Sequence, residues 1–206
     1  MLCAANLPFM SRAISSHLTV GFERLAYHAV KKIMPDKAIV KLFGTAATTG
    51  YDAYTGNKFN KINSLASDLH ARLSSDISQE YYSAHDTGDA GLDIAAWVPF
   101  DDGAGNQLLV LAQAGCTCNE KEMLDKQYES SSEKWCKKII GISPISMMIT
   151  PVCYRQVEGK WIKPADILSV FIDRIRVVNL LSEHPTNLKA NDIPSFNKIC
   201  DFGKNA

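Results

Sequence analysis

The chain has 206 residues, with 22 basic and 22 acidic side chains and a formal net charge of zero. That length suits one domain with its own core. The even charge argues against a surface basic enough overall to hold nucleic-acid phosphates unaided. No apolar run approaches the roughly 18 residues needed to cross a bilayer, and the start of the chain lacks the basic region and long apolar block of a signal peptide. A cytoplasmic location is expected. Six cysteines, Cys3, Cys116, Cys118, Cys136, Cys153 and Cys200, are irregularly spaced and read as reduced thiols.

Phe22, Leu25, Ala26, Ala29, Val30 and Ile33 recur at helical spacing and predict an amphipathic helix from about Thr19 to Met34. Thr19 is the expected N-cap and Pro35 the stop. Glu23 lies beside the apolar stripe, where it can reach an internal cleft. Residues 38 to 43 predict a short strand and 44 to 56 a loop. Ile62, Leu65, Ala66, Leu69, Leu73 and Ile77 predict a second helix from about Lys61 to Ile77. Lys31, Lys32, Lys37, Lys41, Lys58 and Lys61 cluster in sequence, which usually means a solvated face.

The most informative segment runs from Gly88 to Cys116. Leu92, Ile94, Ala96 and Val98 alternate with Asp93, Ala95 and Trp97 along one strand. Asp101-Asp102-Gly103 marks the turn. Leu108 to Ala112 is apolar on both faces and ends at Gln113, as expected of a strand buried on both sides. A carboxylate among such neighbours needs a partner to offset its desolvation, and a divalent ion would use Asp93 and Gln113 together.

Residues 120 to 140 are polar and helix-prone, interrupted by Ser130-Ser131-Ser132. Residues 145 to 154 predict a strand, and Glu158-Gly159 a turn onto Lys160-Trp161-Ile162. Pro164 fits a helix start, with Ile167, Leu168, Phe171, Ile172, Ile175, Val178 and Leu181 as the stripe of one last helix. Without internal repeats or linkers, residues 1–206 read as a single domain. The order predicts an α/β or α+β fold with a mixed central sheet between helices.

The segments Gly88-Asp89, Gly91, Asp93, Ala96-Trp97 and Pro99-Phe100, the Gln113-terminated strand, the helix bearing Glu23 and the later Asp173-Arg174-Ile175-Arg176 resemble the PD-(D/E)XK restriction-endonuclease-like fold. The likeness is closest to nuclease domains of bacterial anti-phage defence systems and covers about residues 21 to 178. It implies a metal-dependent nuclease, a hydrolase cutting phosphodiester bonds, most naturally those of DNA. It implies Asp93 as the main metal ligand, with Gln113 and the backbone carbonyl of Ala114 as further ligands, and Glu23 on a metal-bound water or second ion. Mg²⁺, or Mn²⁺, suits such an oxygen set. A homodimer or a partner defence subunit would complete the DNA grip, with no membrane involved.

One position departs from the pattern. The lysine expected two residues after Gln113 is Gly115, and Lys121, on the following helix, is the expected substitute. If no lysine enters the site, the alternative is a catalytically inactive subunit for nucleic-acid binding or assembly. A weaker third reading is an RNA or small-molecule hydrolase using the same metal. Cys116-x-Cys118 has the wrong spacing for structural zinc, and the histidines are scattered. Neither a nucleophile elbow nor a phosphate-binding or dinucleotide fingerprint is present. His85, just ahead of the Asp93 strand, is a further cleft candidate, and an internal ion pair is expected of Asp173 with Arg174 and Arg176.

Overall fold

The computed structural model describes residues 1, 3–44, 51–80, 82 and 88–182. His85, His184 and Cys200 lie outside the described residues. A 3₁₀ turn, Ala4–Phe9, leads into helix α1, Arg12–Ile33. This helix starts a full two turns before the apolar stripe predicts. Ser15, Ser16 and Thr19 donate their hydroxyls to carbonyls three or four residues back, at 2.9–3.0 Å. Those bonds satisfy the side chains inside the helix, so a run that usually favours caps continues it instead. Thr19 is therefore interior, and Pro35 follows the helix end.

Strand β1, Ile39–Leu42, precedes helix α2, Lys58–Asp68, whose Asn57 side chain accepts the Asn60 N–H at 2.9 Å. The helix does not run on to Ile77. His70 takes a left-handed conformation at φ 49°, and the N–H groups of Ala71 and His70 bond back to Ala66 and Ser67. This is a Schellman ending built on histidine where glycine is usual, so the sequence gives little warning of it. Leu73 belongs instead to strand β2, Arg72–Leu73.

Strands β3, Ile94–Val98, and β4, Leu108–Ala114, form the predicted hairpin. Asp101 and Asn106 in its turn have φ of 57° and 59°, a conformation short polar side chains tolerate. Helices α3, Glu120–Glu129, and α4, Ser132–Cys136, divide where Ser131 caps α4 by accepting the Lys134 N–H. Strand β5, Ile139–Ile140, pairs with β2, and strand β6 is Ile145–Ile149.

The single last helix predicted from Pro164 is three elements. Pro164–Asp166 is a 3₁₀ turn, Val170–Ile172 is strand β7, and only Arg174–Ser182 is helix α5. Val170, Phe171 and Ile172 suit a strand, and Asp173 caps α5 by accepting the Arg176 N–H at 3.1 Å. Asp173 is fully buried and its ion-pair partner is Arg155, not Arg174 or Arg176, with bonds of 2.7 and 3.0 Å. The guanidinium groups of Arg155 and Arg176 both lie over the Trp161 ring, 4.7 and 5.0 Å from its centre.

The protein is thus α+β. Its main sheet has the order β1-β3-β4-β6-β7, with β1, β3 and β4 antiparallel and β4, β6 and β7 parallel. Both faces of the central hairpin are buried. Ile94, Ala96, Val98, Val110 and Ala112 pack toward α1 and α5. Ala95, Trp97, Leu109 and Leu111 pack toward α2 and Trp135 of α4. Such double burial explains the nearly continuous apolar sequence. Among the described residues, no helix is long and apolar enough to cross a membrane.

Candidate functional site

A cleft of about 730 Å³ opens at the end of the sheet where β4 leaves it. The hairpin register pairs Ile94 with Ala112, so one step further sets Asp93 beside Gln113. Residues directly opposite one another in an antiparallel pair bring their side chains together. Asp93 is held in place by its backbone as well. Its N–H donates to the Ala112 carbonyl at 3.2 Å, and its own carbonyl accepts from Phe43 at 2.7 Å. Its side chain accepts the Ala114 N–H at 2.7 Å.

Glu23 enters from α1 and lines the same cleft. A Cβ placed on Gly44 would stand 2.9 Å from Asp93 Oδ1 and 3.2 Å from Glu23 Oε2, so these oxygens lie within about 6 Å of each other, close enough for like charges to perturb ionisation. Gly44 leaves open the space between them that any side chain would fill. Burial, then the Glu23 charge, hold the Asp93 carboxyl well above the usual carboxylate range, against the opposing Ala114 N–H and Lys126. Gln113 adds a third oxygen: its side-chain Oε1 is buried and has no hydrogen-bond partner among the described residues. An orphaned amide oxygen costs the fold free energy unless a ligand satisfies it.

Ala114 also lines the cleft. Lys121 does not: it is exposed, on another face of α3. The cleft-facing residues of that segment are Asn119, Glu122 and Lys126, spaced i, i+3 and i+7. Lys121 lies five residues from Lys126, about 140° around an α-helix. The lysine of α3 that lines the cleft is therefore Lys126, where the sequence suggests Lys121. The Lys126 chain lies over Gly115, where a Cβ would come within 2.8 Å of Lys126 Cδ. Lys126 thus lies close to Gly115, the position where the resemblance expects a lysine.

Asp89, part of the quoted motif but given no role by it, lines the cleft too. Its side chain accepts the Gly91 N–H at 2.8 Å. Gly91 has φ 78°, a left-handed conformation that favours glycine, and the Glu129 carboxylate lies against it. Cys116 stands on the wall with its thiol pushed up to about 12 by burial, which makes it a poor thiolate ligand or nucleophile. Among the described residues no three His, Cys, Asp or Glu side chains gather as a metal cluster. The oxygen set is two carboxylates and an amide, which fits an ion that keeps several waters.

The lysines clustered in sequence disperse in space. Lys31 and Lys32 are exposed at the end of α1. Lys41 pairs with Asp68 at 2.9 Å, and buried Lys61 donates to the Phe43 carbonyl at 3.1 Å. The five described cysteines are free thiols. Fold and cleft together define an α+β protein with a carboxylate-lined site at the end of a mixed sheet. Compared with protein-family models, curated proteins and solved structures, the chain matches none.

Proposed function

We propose that this protein is a Mg²⁺- or Mn²⁺-dependent phosphodiesterase that cuts DNA. The observation that carries the reading is the buried, unpartnered Oε1 of Gln113 beside the Asp93 and Glu23 carboxylates. Two carboxylates and an amide lining one cleft, with a lysine at its edge, suit a hydrated divalent ion and a phosphate. The mixed sheet between helices is also the architecture that the sequence resemblance implies.

Asp93, Gln113 and the Ala114 carbonyl would hold the ion, with Glu23 on its far side. Such an ion, when bound, polarises the phosphodiester and lowers the pKa of the attacking water. Asp93 is oriented by the Ala114 N–H, so its second oxygen stays directed into the cleft. Glu23, on the same cleft, would accept hydrogen bonds from water entering between the carboxylates. Lys126 brings positive charge to the side where a phosphate gains negative charge, the role expected of the motif lysine. The position of Lys126 over Gly115 favours the active reading over an inactive assembly subunit.

The phage-defence setting comes from the sequence resemblance, and a homodimer would offer one cleft to each strand of a duplex. The test is cleavage of supercoiled plasmid with Mg²⁺ or Mn²⁺, alongside RNA and free nucleotides. Nicking lost on adding EDTA and in Asp93→Ala supports the assignment. A folded, dimer-competent protein that cuts no substrate with either ion sinks it.

A further inference from the structure

A second cavity, of about 540 Å³, shares Asp89 with the carboxylate cleft. Its lining is polar and basic: Lys58, Lys134 and Lys138, with Tyr82, Asp89 and the backbone of residues 88–91. The three lysines come from separate places. Lys58 is the first residue of α2, at the positive end of that helix's dipole. Lys134 is on α4, and Lys138 follows α4 just before β5.

Among the described lining residues the acid is Asp89, whose side chain accepts the Gly91 N–H. Lys134 is fixed by Glu129 and by the Ala90 carbonyl at 2.7 Å. That anchoring holds the 88–91 backbone, and Asp89 within it lines both cavities. Lys58 stands over the Tyr82 ring, 5.5 Å from its centre. Burial and the charges of Lys134 and Lys58 push the Lys138 ammonium below its usual range. A protein that crowds cations into a hollow beside a carboxylate site has built a place for an anion.

We propose that the cavity formed by Lys58, Lys134 and Lys138 beside Asp89 is a phosphate subsite, holding a backbone phosphate of the strand whose neighbouring phosphate enters the carboxylate cleft. Assigning the phosphate to a strand rests on the nuclease reading; the existence of an anion site does not. The subsite also answers the objection raised by zero net charge. The grip is local: three basic groups gather where the strand passes, against the Asp89 carboxylate in the cavity and the Glu129 carboxylate that pairs with Lys134.

The experiment measures binding of a fluorescein-labelled DNA oligonucleotide by anisotropy, in EDTA, between about 50 and 200 mM salt, where each lost phosphate contact flattens the salt slope by about 1. Lys58→Gln and Lys138→Gln each flatten the slope by about one contact, and the double variant by about two. Lys160→Gln, an exposed lysine far along the chain, leaves the slope unchanged, and Asp93→Asn still binds. Melting curves verify that each variant is folded. A parallel arm follows the rise in Tm with inorganic pyrophosphate. DNA binding with an unaltered slope in the folded double variant overturns the proposal, even if the protein cuts DNA. Pyrophosphate stabilisation that disappears in the double variant, without DNA binding by the parent, keeps the phosphate site and overturns its assignment to a strand. A parent that binds neither ligand overturns both.

Discussion

Gln113→Met separates a structural glutamine from one kept for a ligand. Methionine has nearly the same length and volume, so packing against the neighbours on β4 changes little. What disappears is the buried Oε1 that has no partner. An unsatisfied buried acceptor costs about 1–3 kcal/mol, so the metal-free variant gains about 2 kcal/mol. For a chain of this size each kcal/mol moves Tm by about 2–4 °C, giving a rise of about 4–8 °C. The parent should instead gain its stability from the ion. At a hundredfold excess over Kd, binding contributes about 2.7 kcal/mol, or about 5–11 °C in Tm. The assay is a pair of thermal melts for each protein, in EDTA and in Mg²⁺. The expected pattern is crossed, with the variant more stable in EDTA and less responsive to Mg²⁺. A variant that melts lower in EDTA, or keeps the full Mg²⁺ response, refutes the argument that Gln113 faces a ligand.

Four further outcomes follow from the same geometry. Because the Asp93 carboxyl is held above its ordinary range, the folded protein binds its proton more tightly than the unfolded chain. Its contribution to metal-free stability is therefore lost as pH rises from about 4 through the raised value; the melting difference between Asp93→Asn and the parent should widen in the variant's favour over that window, and a constant difference contradicts the shift. Lys126→Ala should lower cleavage by about 10²–10³, the usual cost of removing a group that stabilises charge in the transition state, while Lys121→Ala stays near parental activity; the reverse ranking in initial-rate assays would return the role to Lys121. Asp173→Ala leaves Arg155 without its partner and α5 without its cap, for a loss of about 3–5 kcal/mol in urea unfolding, and a loss under 1 kcal/mol means the pair adds little. With its thiol pushed up to about 12, Cys116 should alkylate far more slowly at pH 8 than exposed Cys118 and Cys136, as read by mass spectrometry of iodoacetamide-treated protein; equal rates would show that Cys116 is not shielded.

Several parts of this molecule are written locally in its sequence. The β3–β4 hairpin announces itself by two apolar runs around a polar turn. The antiparallel register that pairs Ile94 with Ala112 then makes Asp93 and Gln113, the polar residues at the ends of the two runs, neighbours. The stripe from Phe22 to Val30 likewise places α1 against the sheet, and with it Glu23 at the edge of the core. These features rest on periodicity over a few residues, which is physical information the sequence itself carries.

Other parts were decided by distant packing. The stripe from Ile167 to Leu181 has helical spacing, yet Val170–Ile172 pairs in parallel with β6, because an unpaired sheet edge rewards extension more than the local pattern rewards a helix. The end of α2 depends on a left-handed histidine rather than a glycine. Lys126 rather than Lys121 faces the cleft because Met123 and Gln127 are drawn inward, and they set the rotation of α3. Gln127 donates to the Asp166 carbonyl and accepts from Leu168 and Ser169, contacts about forty residues away that no local pattern reveals. The basic cavity is likewise invisible in the sequence: Lys58 lies far from Lys134 and Lys138 along the chain, and only the packing of α2 and α4 on one face of the sheet brings them to Asp89. The sequence by itself determined the hairpin and the pair of residues that Asp93 and Gln113 make. Tertiary structure decided which cations surround them, since a charge at the surface of a helix takes its position from the buried side of that helix.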